Sequence, residues 1–231
     1  MQYNFIISYR NRKEHLDEFI RRFTDYLKNK EIDVQFYIIH QITPGDFNRG
    51  ALNNIGFMEV CKIRPDGLFV FHDVDTYPTY WGSIPYEAQR GEFKRPVKNS
   101  DSENLGLICS CWKEEYEKTN GFANFWGWGS EDGALYFRAK KAGIPINENN
   151  MIDYKDTRYV INIEHYRSVS KQHEHAAKNG NLLLHEKQTG NSSNGLSAIE
   201  YKVLSSVELA PRFTVLNVDF LLKPANIQNG H

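Results

Sequence analysis

The chain has 231 residues with 28 basic and 29 acidic side chains, and its formal net charge of -1 leaves no electrostatic footprint for nucleic acid or for an anionic membrane surface. Hydrophobic residues make up 40%, enough for a substantial core, and no run reaches the roughly 20 apolar residues that a transmembrane helix needs. Three cysteines, Cys61, Cys109 and Cys111, are too few for a disulfide framework or a four-ligand zinc site and read as buried thiols of a reducing compartment.

Phe5-Ile6-Ile7 is a short apolar strand, followed by the polar cluster Ser8-Tyr9-Arg10-Asn11-Arg12. The spacing of Leu16, Phe19, Ile20, Phe23 and Leu27 then predicts an amphipathic helix. Arg10 and Arg12 therefore sit at a strand end beside a helix N-terminus, where guanidinium groups and free amides attract an anion such as a diphosphate; a solvated loop is the plainer reading. Val34 to Ile39 is a second strand, Thr43-Pro44-Gly45 a turn, and Phe47-Asn48-Arg49-Gly50 the entry to a helix that carries Leu52, Ile55 and Val60.

Leu68 to Phe71 is a third strand, and it runs into His72 and then into Asp73 and Asp75, carboxylates held one residue apart. Two carboxylates crowded at the rim of a core call for a positive partner, for which a divalent metal is the economical candidate. An acidic turn is the alternative. Strands alternating with helices predict a mostly parallel sheet with Arg10, Arg12, Arg49, Asp73 and Asp75 gathered on one edge. No glycine-rich phosphate loop precedes a helix, which speaks against an ATPase or a dehydrogenase.

Thr76 to Glu103 has little periodicity and reads as a long functional loop. Leu105 to Cys111 returns to strand, and Trp112 to Lys118 makes a short helix. In Phe125-Trp126-Gly127-Trp128-Gly129 two indoles interleave with glycines, a pattern that suits a mobile platform for a sugar ring better than tight core packing. Glu131 and Asp132 lead into a helix predicted over Leu135 to Ala142, where the dipole alone also favours acids. Tyr159 to Ile163 is a strand ending in Glu164-His165, which makes His165 the histidine placed in the manner of a ligand. His173 and His175 lie in a polar helical stretch, and His185 falls in a loose Asn179 to Gly195 region. Tyr201 to Leu209 and Phe213 to Phe220 read as a closing hairpin.

Taken together, Tyr9-Arg10-Asn11-Arg12-Lys13-Glu14-His15-Leu16, Phe47-Asn48-Arg49-Gly50, Asp73-Val74-Asp75 and the stretch from Asn120 to Asp132 resemble the β-1,4-galactosyltransferase family. The likeness continues in Asn194-Gly195-Leu196 and Tyr201-Lys202-Val203-Leu204. It implies an α/β, GT-A type nucleotide-sugar fold with a mostly parallel central sheet flanked by helices, a C-terminal hairpin, and one catalytic domain over residues 1–231. The implied activity is inverting, metal-dependent transfer of galactose or N-acetylgalactosamine from a UDP-sugar donor to a saccharide or glycoconjugate acceptor, with a β-1,4 linkage. Another UDP-sugar, such as glucose or glucuronic acid, or a non-catalytic carbohydrate-binding module, is the alternative.

By the same resemblance Ser8, Tyr9, Arg10, Arg12, Phe47, Arg49 and Asp73 surround the nucleotide, with Trp128 closing over the donor. Asp75, His165 and Asn162 are the metal positions, and Mn2+ suits such a mixed carboxylate, imidazole and amide set better than Mg2+. Asn162 departs from the thioether often found at its position. Asp132 is the implied general base, with Glu131 and Phe125 beside it toward the acceptor. Gly133 stands where the family usually has another acid, which leaves the acceptor open. Asn104 stands where a tyrosine lines the donor pocket, which leaves room for an N-acetyl group. The family's membrane anchor, stem and disulfide cysteines have no counterpart, so a soluble cytoplasmic enzyme is expected, with the Golgi lumen as its place only if the chain is a fragment.

Overall fold

The computed structural model describes residues 1–98, 102–163 and 169–223. In chain order the early elements are β1 (Gln2–Tyr9), α1 (Lys13–Leu27), β2 (Asp33–Gln41), α2 (Arg49–Cys61) and β3 (Leu68–His72). Next come β4 (Thr76–Pro78), β5 (Phe93–Lys94), β6 (Val97–Lys98), β7 (Ile108–Cys111), α3 (Lys113–Lys118) and α4 (Glu131–Lys141). The chain continues with β8 (Ile146–Asn147), β9 (Ile152–Asp153), β10 (Val160–Asn162), α5 (Val169–Thr189), β11 (Ile199–Ala210) and β12 (Phe213–Leu222).

An eight-stranded sheet in the order β11-β12-β2-β1-β3-β7-β5-β8 forms the centre. β12, β2, β1 and β3 run parallel, while β11 and β7 pair antiparallel to their neighbours. Phe5, Ile6 and Ile7 are wholly buried, as expected of a strand covered on both faces. One cover is α1, whose Leu16, Phe19, Phe23 and Leu27 pack with Phe5, Ile7, Phe36 and Val70. The other is α2, whose Leu52, Ile55, Phe57 and Val60 pack with Ile6, Ile39, Phe69 and Phe71. From β1 the chain steps to β2 on one side and later to β3 on the other. That reversal opens a crevice at the C-terminal ends of β1 and β3, where α/β sheets seat their ligands.

The stretch from Thr76 to Glu103 is largely without regular secondary structure, as expected, but it is not an open surface loop: it supplies the short strands β4, β5 and β6, and Tyr77, Ile84, Tyr86, Phe93 and Val97 are buried. Its apolar residues lack period because they fill the core one at a time from short strands and irregular segments. Of the segment Asn179 to Gly195 expected to be loose, only Gly190 to Gly195 lies outside a helix; the part up to Thr189 is instead the C-terminal half of α5, so His185 is helical. Tertiary contacts hold it there. Arg138 of α4 makes a buried two-pronged pair with Glu186 of α5, at 2.6 and 2.8 Å, and also donates to the carbonyls of Gly121 and Asn194. The helix predicted over Leu135 to Ala142 starts earlier, at Glu131, which makes Glu131 and Asp132 its first turn.

Candidate active site

Ser8 is the last residue but one of β1, with its Oγ donating to Asn53 Oδ1 of α2 at 2.8 Å. Tyr9 rests against His40, with 5.1 Å between ring centroids and the planes tilted by 60°. Arg10 donates to the carbonyl of Gly45. Phe47 packs against the α2 side of the core, and its carbonyl accepts from Gly127 N at 2.9 Å. The two carboxylates after β3 diverge: Asp73 Oδ1 accepts from Arg49 Nε at 2.8 Å, and Asp75 Oδ2 accepts from Arg12 Nη1 at 2.7 Å. Each of the two acids thus has an arginine beside it.

Arg49 begins α2, whose N-terminus is capped by the Asn48 side chain accepting from Ala51 N at 2.9 Å. The helix comes so close to the loop before α4 that a Cβ on Gly50 would fall 1.9 Å from the carbonyl oxygen of Ala123, so only glycine fits there. That approach carries Arg49 under the first turn of α4. Its Nη1 lies 3.5 Å from Glu131 Oε1, and its guanidinium carbon 5.2 Å from the Phe122 ring centroid. Burial opposes the charge of Arg49, but Asp73, Glu131 and Asp132 outweigh it and hold its pKa above the usual arginine value. Burial in turn pushes the carboxyls of Glu131 and Asp132 above the ordinary carboxylate range, with Arg49 pulling both back down. Arg49 Nη1 and Glu131 Oε2 are buried without a hydrogen bond, so the cluster retains polar capacity for a ligand.

Asp132 Oδ1 accepts from the amide of Gly133 at 2.7 Å, and the Asp132 carbonyl accepts from Leu105 N at 3.3 Å. The second contact brings the loop of Asn104 beside α4. The Asn104 side chain is engaged within that loop: Nδ2 donates to Ser102 Oγ at 2.7 Å and Oδ1 accepts from Gly106 N at 3.0 Å. Asn162 faces Thr76 in the antiparallel β4–β10 ladder, with its Oδ1 accepting from Thr76 Oγ1 at 3.3 Å, one residue along from Asp75. His165 lies outside the described residues. Among the described residues no three His, Cys, Asp or Glu side chains converge on one metal position.

The two tryptophans part company. Trp126 is half-buried and stacks on Phe220, with 5.5 Å between ring centroids and planes 14° apart, so it belongs to the packing rather than to a mobile platform. Trp128 is 48% exposed and free to meet a ligand. Phe125, expected toward an acceptor, is instead buried against Ala123, Ala134 and Leu183. The Trp-Gly loop is roofed by α5: Asn179 Nδ2 donates to the carbonyls of both Trp126 and Trp128 at 3.2 Å, and His175 Nε2 lies 3.2 Å from Asp46 Oδ2.

Several positioning residues escaped the sequence reading. Asn53 and Asn54 sit buried in the apolar middle of α2, and Asn54 Nδ2 donates to the Phe122 carbonyl at 2.8 Å. Gln41 donates to the Thr43 and Asp46 carbonyls and accepts from Asn48 N, shaping the loop before α2. Two adjacent asparagines in the apolar middle of α2 are the signal that could have marked Asn53 and Asn54.

Comparison with known proteins matches two family models in succession. The N-terminal region of glycosyl transferase group 7 matches residues 1–81, and the model described as the N-terminal domain of galactosyltransferase matches residues 92–166. The chain belongs to the glycosyl transferase group 7 family.

Among curated members, β-1,4-galactosyltransferase 4 of Cricetulus griseus is 31% identical over 222 residues, covering 93% of this chain and 62% of that protein. β-1,4-Galactosyltransferase 1 of Bos taurus is 32% identical over 221 residues, covering 93% of this chain and 53% of that protein. The chain thus spans little more than half to three fifths of these family members' length. The catalytic domain of Drosophila β-1,4-galactosyltransferase 7, solved with xylobiose, superposes with a TM-score of 0.72 over 97% of this chain and 95% of that one, at 19% identity. A mutant of it solved with manganese, UDP-galactose and xylobiose gives a TM-score of 0.71 over 97% and 96%, also at 19% identity. These likenesses carry the GT-A type α/β fold of the family. No helix among the described residues is long and apolar enough to cross a membrane.

Proposed function

We propose that the chain is an inverting, metal-dependent glycosyltransferase that moves galactose from UDP-galactose to a saccharide hydroxyl, forming a β-1,4 linkage. The observation that carries this reading is the Arg49 cluster: one buried guanidinium tied to Asp73 after β3 and to the acidic first turn of α4, at the crevice of the sheet. Relatives named as β-1,4-galactosyltransferases and a fold neighbour holding UDP-galactose supply the donor class.

In this reading Arg10, Arg12 and Arg49 hold the diphosphate, because planar guanidinium groups bind phosphate oxygens two at a time. Ser8, Tyr9, Phe47 and Asp73 frame the uridine and ribose. Trp128 offers its exposed indole face to the sugar and screens it from water. Asp132 takes the proton of the attacking hydroxyl as the anomeric carbon gains positive character. A raised pKa suits that work, since a base is most effective when its pKa approaches the working pH. Glu131 is better matched to holding Arg49 than to touching the acceptor.

Asp75, Asn162 and His165 would hold Mn2+. Asp75 is a buried carboxylate that already carries a cationic partner, and the Asn162 amide lies one ladder position away, so the oxygen donors fit. When bound, Mn2+ would offset the negative charge that builds on the departing diphosphate.

N-acetylgalactosamine remains the second donor, favoured by one observation: the small Asn104 stands beside the Asp132 backbone and its side chain is drawn into its own loop. The acceptor is proposed to be a pyranoside, the class of the xylobiose in the fold neighbour. Incubation with a panel of UDP-sugars and simple glycosides, with Mn2+ and with a chelator control, tests the assignment. Chelator-sensitive transfer from UDP-galactose or UDP-N-acetylgalactosamine is expected, and transfer from neither would refute it.

A further inference from the structure

The ion pairs of the crevice lie on one side of β1, where Asp73 and Asp75 after β3 meet Arg49 and Arg12. On its other side the strand ends carry a neutral polar row. Tyr9 of β1 lies opposite His40 of β2, His40 opposite Asn217 of β12, and Asn217 opposite Ser205 of β11. Opposed positions share a face of the sheet, so the four side chains stand next to one another. His40 Nδ1 lies 2.7 Å from Asn217 Oδ1, and Asn217 Nδ2 donates to Ser205 Oγ at 2.7 Å.

An amide oxygen can only accept, so Nδ1 carries the ring proton and Nε2 of the neutral imidazole is left as an acceptor. Among the described residues Nε2 has no hydrogen-bond partner, and unlike Arg49 Nη1 and Asn53 Nδ2 it is not closed off from solvent. Tyr9 braces the ring from the side, at 5.1 Å between centroids. The row thus presents one fixed, unused acceptor near the end of β2.

Its place decides what it meets. The acidic first turn of α4, where transfer is proposed, joins the crevice through Arg49 and Asp73 on the β3 side. A nucleotide-sugar with its sugar there and its diphosphate among Arg12 and Arg49 has the β2 side left for its base. Uracil offers an N3–H donor between two carbonyl oxygens, whereas cytosine has a bare acceptor at N3. A nitrogen held as an acceptor bonds the first and opposes the second.

We infer, on the premise of the UDP-sugar donor proposed above, that His40 reads the base of the nucleotide: its Nε2 accepts from uracil N3–H and turns cytosine away. Asn217 is then a positioning residue that acts through His40 by fixing its tautomer.

Calorimetric titration of the whole chain with UDP, CDP and N3-methyl-UDP, in the presence of Mn2+, tests this. The wild type binds UDP about tenfold or more tighter than either analogue, since each analogue leaves Nε2 facing a group it cannot bond. His40→Phe keeps a ring against Tyr9 but has no acceptor. It weakens UDP about five- to tenfold, leaves the two analogues nearly as they were, and so brings the three affinities together. Asn217→Leu, which frees the tautomer, narrows the gap by part of that amount. Circular dichroism shows both variants folded. A His40→Phe variant that loses all three nucleotides equally, or none, overturns the inference and leaves the UDP-sugar reading standing. So does a wild type that binds UDP and CDP alike. A folded wild type that binds no UDP overturns both.

Discussion

Arg12 donates from Nη1 to Asp75 Oδ2 at 2.7 Å, and this pair ties the segment after β1 to the segment after β3. The residue proposed to hold the diphosphate is thereby in contact with the residue proposed to hold the metal, so the charges of the two subsites are set together.

Asp75→Asn is expected to weaken Mn2+ binding by at least about 100-fold, since loss of a direct ligand should exceed the effect of losing a supporting group around one. Titration followed by electron paramagnetic resonance checks this, and unchanged Mn2+ affinity would remove Asp75 from the metal site. Asp73→Asn should instead raise the Kd for UDP, because it removes the negative charge that faces Arg49 at 2.8 Å.

Asp132→Asn is expected to lower kcat by ~10^2 to 10^4, the usual worth of a general base, with UDP affinity nearly unchanged. The raised pKa of Asp132 and of its neighbour Glu131 adds a pH signature. The acid limb of kcat/KM should lie above the ordinary carboxylate range. A limb at or below the usual aspartate value would contradict the burial argument.

Asn104→Tyr should shift donor preference toward UDP-galactose and away from UDP-N-acetylgalactosamine by filling the space beside the Asp132 backbone. Rates with the two donors measured side by side decide it. An unchanged ratio would show that Asn104 does not line the donor pocket.

His72 supplies a stability prediction. Its Nδ1 donates to the Asp73 carbonyl at 2.8 Å, and its Nε2 accepts from the Tyr86 hydroxyl at 3.2 Å, an assignment that follows because a carbonyl can only accept. Burial lowers its pKa from 6.5 to about 4. The unfolded chain therefore binds the proton more readily than the fold, so this contribution to stability is complete above pH 6.5 and is lost as the pH falls toward 4. The full loss is about 3 kcal/mol. Urea midpoints at neutral and acidic pH measure it, and His72→Gln should flatten that part of the slope.

Much of this was legible along the chain. Strands β1, β2 and β3 announce themselves as apolar runs because they are covered on both faces, and α1 by the single buried stripe from Leu16 to Leu27. Arg12, Arg49, Asp73 and Asp75 were recognisable at strand and helix ends. The C-terminal half of α5 was not, since Asn179-Gly180-Asn181 are weak helix formers and the helix depends on Arg138, Glu186 and the indole-loop carbonyls, contacts distant in sequence. The partnership of Arg49 with Glu131 was hidden for the same reason, and so was the division between a packed Trp126 and an exposed Trp128. Identical residues in one glycine-rich loop gave no hint that Phe220 would claim the first indole.

The most direct test of the account is transfer from UDP-galactose to a pyranoside acceptor, measured with Mn2+ for the wild type and for Asp132→Asn. The account predicts a glycosidic product with the wild type, its loss on chelation, and a variant that binds UDP while forming almost no product. A folded wild type that binds UDP yet yields no glycoside, or an Asp132→Asn variant that turns over normally, would contradict it.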